Sequence, residues 1–184
     1  PPPPPPLLSP NPGQADMNSI SAIVGLLNSS NDGTQRNAAS ALAALAEEES
    51  ARETLYRLGT LSHVIRSLSA ANSRQEAAGG ALDASCDAAA RVAMVRVVAA
   101  FAADARYRDM LRIAIQPLVA MLTLKGAPAI VAHAARAITS LSNSEPNRDA
   151  LREAGAQRKM AELLLHSDGA IQVRGATSAS TVPH

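Results

Sequence analysis

Aromatic residues are nearly missing from this chain: 184 residues contain no tryptophan, one phenylalanine and two tyrosines. The core must therefore be aliphatic, and a chain rich in alanine and leucine suits close-packed helices better than sheets. The same shortage removes the ring faces on which proteins stack nucleic-acid bases. Cysteine is almost absent too. Cys86 alone allows no internal disulfide and no thiolate cluster for zinc, and it is compatible with a reducing compartment. Its neighbour Asp87 is an acid, which does not activate a thiol as a nearby cation would. Charge of one sign is also lacking: the formal net charge is +1, so no global field recruits nucleic acid or a membrane surface. The longest apolar run, near Val92 to Ala103, is interrupted by Arg96 and ends at Asp104, too short to span a bilayer. No secretory signal is visible at the start. The chain does not begin with Met, as expected of a fragment of a longer protein.

Catalytic patterns are missing as well. His63, His133, His166 and His184 never take the i, i+4 spacing around a glutamate that a zinc-protease helix needs. There is no glycine-rich phosphate loop, and Glu47 to Glu49 read as a solvated corner between helices rather than a metal patch. No catalytic, cofactor or metal site is legible, and the chain reads as a non-enzyme.

What is present is one unit, Arg36 to Leu68, and its echoes. Ala38, Ala41, Leu42 and Leu45 recur at three- and four-residue steps, so they predict one helical face. After the glutamates, Ser50 suits an N-cap with Glu53 three residues on, as in a capping box. The second helix, with Leu55 and Leu58 inward, stops at Gly59, a residue suited to a left-handed C-terminal position. Leu61, Val64, Ile65 and Leu68 mark a third helix.

That last set is preceded by Ile20, Ile23, Val24 and Leu27 and followed by Ile115, Leu118, Val119 and Leu122. It returns more weakly at Gln157, Met160, Ala161 and Leu164. The recurrence distances are 41, 54 and 42 residues. Leu45 is echoed by Phe101 and Leu141; seven residues after each come Arg52, Arg108 and Arg148, then Leu55, Leu111 and Leu151. Each of these arginines opens a first helix in the same register, which predicts a structural role and local pairing with acids such as Glu49, Asp104 or Glu145. A period near forty with three helices per unit predicts an all-α chain built as an α-solenoid.

Two places depart from the period. Some 14 extra residues lie around 71–87 and contain Gly79-Gly80, which predicts an insertion with partial helicity. The turn before Ile115 is two residues short and lacks a glycine, while Pro117 suits the first turn of the helix it begins. The expected organisation is a Pro-rich extended arm or linker over 1–17, a solenoid over 18–178 and a tail over 179–184. Residues 1–16 are expected to stay non-helical, with the six leading prolines favouring polyproline II. The last long helix is expected to begin near Asp168 and to end early at Gly175.

The phrases QRNAASALAALA and NRDALREAGAQRKMAELL resemble the armadillo-repeat family: its long third helix and its junction of first and second helices. The resemblance covers about residues 18–178 and implies a right-handed superhelix of roughly three and a half repeats. In that family the long helices line a groove that holds an extended peptide, using an Asn and, four places before it, a Trp. The matching positions here are Ala44, Ala100 and Ser140 for the Asn, and Ser40, Arg96 and Arg136 for the Trp. The amide array is missing, which argues against a receptor of the importin kind. What remains on the expected face is Asn37, Arg96, His133, Arg136 and Arg174, a basic groove suited to an acidic partner segment. The resemblance implies a protein-binding scaffold without enzyme activity, intracellular and cytoplasmic or cytoskeletal, belonging to a larger complex. One alternative is a structural subunit of a cytoskeletal or axonemal assembly. The other is a helical-repeat RNA-binding protein, disfavoured by the neutral charge.

Overall fold

The computed structural model describes residues 12–77, 88–124 and 126–165, which are helical apart from short turns. Helix α1 runs Pro12–Leu26, α2 Asp32–Glu47, α3 Glu49–Arg57, α4 Thr60–Ala77 and α5 Ala88–Ala103. Two 3-10 turns, Ala105–Tyr107 and Asp109–Ala114, lead into α6, Ile115–Met121. Then come α7, Pro128–Leu141, α8, Glu145–Glu153, and a further helix α9 over 156–165. No strand occurs among the described residues, so the fold class is all-α.

The three long helices α2, α5 and α7 lie side by side, with α5 between the other two. On one side of them α4 packs against α5 and α6, and α6 packs against α7. One continuous aliphatic core, from Val24 to Ala156, fills the space between. Alanines at 38, 39, 43 and 46 on α2 and at 90, 93, 99 and 102 on α5 are buried, and their small side chains permit close approach of the backbones.

Each segment boundary has a local cause. Asn31 caps α2, its side chain accepting from the Thr34 N–H at 2.9 Å. Gly59 and Gly155 take positive φ, +69° and +71°, where the chain turns from α3 to α4 and from α8 to α9. Between Asp109 and Ile115 no such glycine exists. There the first helix of the unit shrinks to 3-10 turns that run straight into α6, with Pro117 buried in the first turn.

The recurring arginines act as C-caps of the long helices. Arg52 donates to the carbonyls of Ala46 (2.9 Å) and Glu47 (3.1 Å). Arg108 donates to Ala102 (2.9 Å) and Ala103 (2.8 Å), and Arg148 to Ser142 (3.1 Å). Carbonyls at a helix end lack intrahelical partners and carry partial negative charge, so a cation there satisfies both. The expected pairing with local acids is corrected accordingly. Arg52 does meet Asp104 at 3.4 Å, but across to the next unit, and Glu49 pairs with Arg106.

Before Arg108 and Arg148, the preceding residue ties its unit to the one before it. Tyr107 donates its hydroxyl to Glu53 at 2.9 Å, and buried Asn147 donates to the Arg108 carbonyl at 2.7 Å. Tyr56, Phe101 and Tyr107, every aromatic ring in the chain, form a single cluster at the first of these junctions. Tyr107 stands 5.3 Å from Tyr56 and 5.0 Å from Phe101.

Other expectations are corrected too. Helix α1 begins at Pro12, inside the stretch read as non-helical, because proline at a first helical turn forfeits no hydrogen bond. Glu48, not Ser50, is the residue between α2 and α3, and it makes no side-chain cap. Glu53 turns to Tyr107 instead of closing a capping box. Helix α4 does not stop at Leu68 but continues to Ala77, burying Ala71, Asn72 and Gln75. Gln75 and Asn72 there accept from buried Arg91, both at 2.7 Å, and Asn72 also donates to the Pro117 carbonyl at 2.9 Å. The remainder of the expected insertion, 78–87, lies outside the described residues, as do the tail and the last long helix. On α9 the core side is Ala156, Met160 and Leu163, while Leu164, counterpart of buried Leu68 and Leu122, is 65% exposed.

The buried face of α2 is also turned from the expected one: Leu42 is fully buried, whereas Ala41 and Leu45 are only partly covered. Leu42→Ala is therefore expected to cost about 2–5 kcal/mol in denaturant unfolding, and Leu45→Ala clearly less. Equal costs would show that the two positions are packed alike.

Candidate partner-binding face

Exposure repeats along the long helices. On α2 the solvent side carries Asn37, Ser40, Ala44 and Glu47, at steps of three and four. On α5 the least covered positions of the central turns are Val92, Arg96 and Ala100; on α7 the corresponding side carries His133, Arg136 and Ser140. These sets include Ser40, Arg96 and Arg136 in one register and Ala44, Ala100 and Ser140 in the other. Because α2, α5 and α7 are neighbours, the positions form a surface strip floored by small side chains.

Charged groups run across that strip. Arg96 on α5 makes a hydrogen-bonded ion pair with Glu47 on α2, their side chains 35% and 57% exposed. The Arg96 guanidinium holds the Glu47 carboxyl below its ordinary range, first through that hydrogen bond and then through its charge, with Arg136 and His133 acting in the same direction. Burial lowers the His133 pKa, and the positive charges of Arg136 and Arg96 lower it further. His133 is therefore neutral at pH 7 and adds its pull on Glu47 only once protonated at lower pH. Four side chains from three helices thus act on one another electrostatically.

Of the residues predicted for this face, Arg96, His133 and Arg136 come together. Asn37 is exposed on α2, but it lies ten residues from Glu47, about 15 Å of helical rise away. Arg174 lies outside the described residues. Sequence reasoning missed Glu47, which it placed in a solvated corner. The available signal was its position: three residues beyond Ala44, it continues the exposed line of α2.

A second polar cluster joins the units just past the C-terminal ends of α2 and α5. Asp104 accepts the Arg106 N–H at 3.1 Å and pairs with the Arg106 guanidinium at 2.7 Å and with Arg52 at 3.4 Å. The hydrogen bond from Arg106, with Arg52 contributing, lowers its carboxyl pKa from 3.8 to about 2. Burial, reinforced by the bond to Glu53, raises the Tyr107 pKa. Among the described residues no three His, Cys, Asp or Glu side chains gather as a metal set, and no helix is long and apolar enough to cross a membrane. Cys86, His166 and His184 lie outside those residues.

No family model matches the chain. No curated protein matches it either. Among solved structures it is similar to the crystal structure of an engineered protein, at 24% identity and a TM-score of 0.66. The likeness covers 80% of this chain and 56% of that one, so this chain spans little more than half of its neighbour. At that identity the likeness is one of fold.

A carboxyl whose folded pKa lies below its unfolded value contributes stability above the unfolded pKa and loses it as pH falls through the folded one. Asp104 should therefore stabilise the protein fully above its ordinary value of 3.8, with that share lost as pH falls toward about 2. In unfolding measurements across pH, Asp104→Asn is expected to be less stable than wild type at pH 7 and to converge with it toward pH 2. A constant difference over that window would remove Asp104 from the acid response.

Proposed function

We propose that this chain is a non-enzymatic protein-binding scaffold of armadillo type, a solenoid of roughly three and a half repeats. The partner is an extended acidic segment lying across the exposed strip of α2, α5 and α7. The observation that carries this reading is the row of Glu47, Arg96, Arg136 and His133, which crosses three consecutive long helices on their solvent side. At neutral pH the row has two guanidinium groups against one carboxylate, a surplus of one positive charge. Arg136 is exposed and has no ion-pair partner among the described residues.

Spacing supports the same partner. Packed helix axes stand about 8–10 Å apart, and Arg96 and Arg136 occupy the same register on neighbouring helices. A polyproline-II segment repeats its face every three residues, about 9 Å. Acidic residues three apart can therefore address both guanidinium groups. Small side chains at Ala44, Ala100 and Ser140 let the backbone of such a segment come close.

A second reading, membership in a larger structural assembly, draws on another surface. Met110 and Ile113 are 48% and 65% exposed and line a pocket of about 220 Å³ with Tyr56, Gly59, Leu61 and Ile65. An apolar patch of this kind suits permanent cover by another subunit.

The strip is tested with a fluorescein-labelled peptide carrying Glu at every third position, followed by anisotropy at moderate salt. Arg96→Glu with Arg136→Glu is expected to abolish binding while far-UV circular dichroism keeps its helical signal. Undiminished binding by that variant would remove the strip from the account, and preferential retention of single-stranded RNA would favour the nucleic-acid alternative.

A further inference from the structure

Glu47 sits where a partner's acid is expected, and it comes from the protein itself. We propose that Glu47 is an internal occupant of the Arg96 site, holding the place of a partner carboxylate and leaving when an acidic segment binds. The inference rests on the reading of the strip as the partner site and deepens it by naming the group that must move.

Several observations converge on this exchange. Glu47 is the last residue of α2, where the helix ends, and Glu48 beyond it is extended, with φ −85° and ψ 126°. Its side chain remains 57% exposed although ion-paired, so solvent and an incoming group reach it without opening the core. Arg96 lies mid-helix on α5 and is 35% exposed, so it presents a fixed cation from a rigid element. The acid bonded to it is of the same chemical class as the proposed ligand: a side-chain carboxylate. One carboxylate replacing another keeps Arg96 satisfied throughout.

The energetic scale permits the exchange. An exposed ion pair contributes little, so an incoming acid displaces Glu47 without a large penalty. The same carboxylate repels a partner acid approaching Arg136, whose charge it already feels. Glu47 therefore lowers affinity for acidic segments of low charge density and leaves the strip to segments with two or more properly spaced acids. It sets a threshold on the partner's charge. Phosphorylated segments share part of this chemistry, but a carboxylate matches the group that Glu47 already supplies.

The test compares Glu47→Gln with Glu48→Gln, which removes the same charge from the adjacent exposed residue. Both are titrated with the Glu-containing peptide and with a phosphoserine peptide of equal charge. Glu47→Gln is expected to bind the Glu peptide about two- to fivefold more tightly than wild type. Glu48→Gln should change little. If wild type shows no binding but Glu47→Gln does, the internal occupant is established in its strongest form. Equal gains in both variants would reduce Glu47 to a general field effect and overturn the proposal. Peptide binding that needs Arg96 and Arg136 but ignores Glu47→Gln would also overturn it, leaving the strip intact as a partner site. Absence of binding in every protein would overturn both readings. Tighter binding of the phosphoserine peptide across all proteins would overturn the assignment to carboxylates.

Discussion

The arginine that closes each long helix is the constraint on which the rest of the molecule depends. A helix ends with carbonyls that no residue of its own can satisfy, and here Arg52, Arg108 and Arg148 reach back six residues to them. The same side chain that satisfies these carbonyls fixes how the next segment leaves the helix. With its exit fixed three times in one register, each long helix ends at an equivalent point, and α2, α5 and α7 can align side by side. The contacts around the arginines then bind unit to unit: Arg52 to Asp104, Tyr107 to Glu53, Asn147 to the Arg108 carbonyl.

Alignment of the long helices is what turns isolated surface charges into a row. Arg96 and Arg136 are 40 residues apart in sequence and belong to neighbouring helices. Glu47 reaches Arg96 across the packed α2–α5 pair, side chain to side chain. Little of this depends on burial, so the charged side chains of the strip can rearrange while the alanine- and valine-rich layer beneath them stays packed.

Much of the architecture was legible in the sequence because helical period, glycine stops and recurring leucines are local signals. Gly59 takes positive φ as expected, Gly155 does the same at the equivalent turn, and Leu55, Leu111 and Leu151 are buried in register. The failures came where a residue's role is decided by a distant partner. Ser50 and Glu53 satisfy the capping-box spacing, yet Glu53 is claimed by Tyr107, 54 residues away. Asn72 and Gln75 look like the start of a polar insertion, but Arg91 draws them inside an extended α4. At the candidate site Arg96, Arg136 and His133 were singled out by the family resemblance together with the repeat register. Glu47 was not, because its meaning lies in a cross-helix contact that periodicity along one helix cannot reveal.

The proposed partner site is the charged strip, and the other exposed surface of distinct character is the apolar pocket around Tyr56, Met110 and Ile113. They belong to different segments of the chain, so a residue-resolved titration separates them. The most direct measurement is a heteronuclear NMR titration of the folded protein with the Glu-containing peptide, following backbone amides and arginine Nε–H signals. The account requires the shifts to concentrate at Ala44, Glu47, Arg96, Ala100, His133, Arg136 and Ser140, with the Arg96 side chain among the first to move. Shifts centred on Tyr56, Met110 and Ile113, with the strip unmoved, would contradict it.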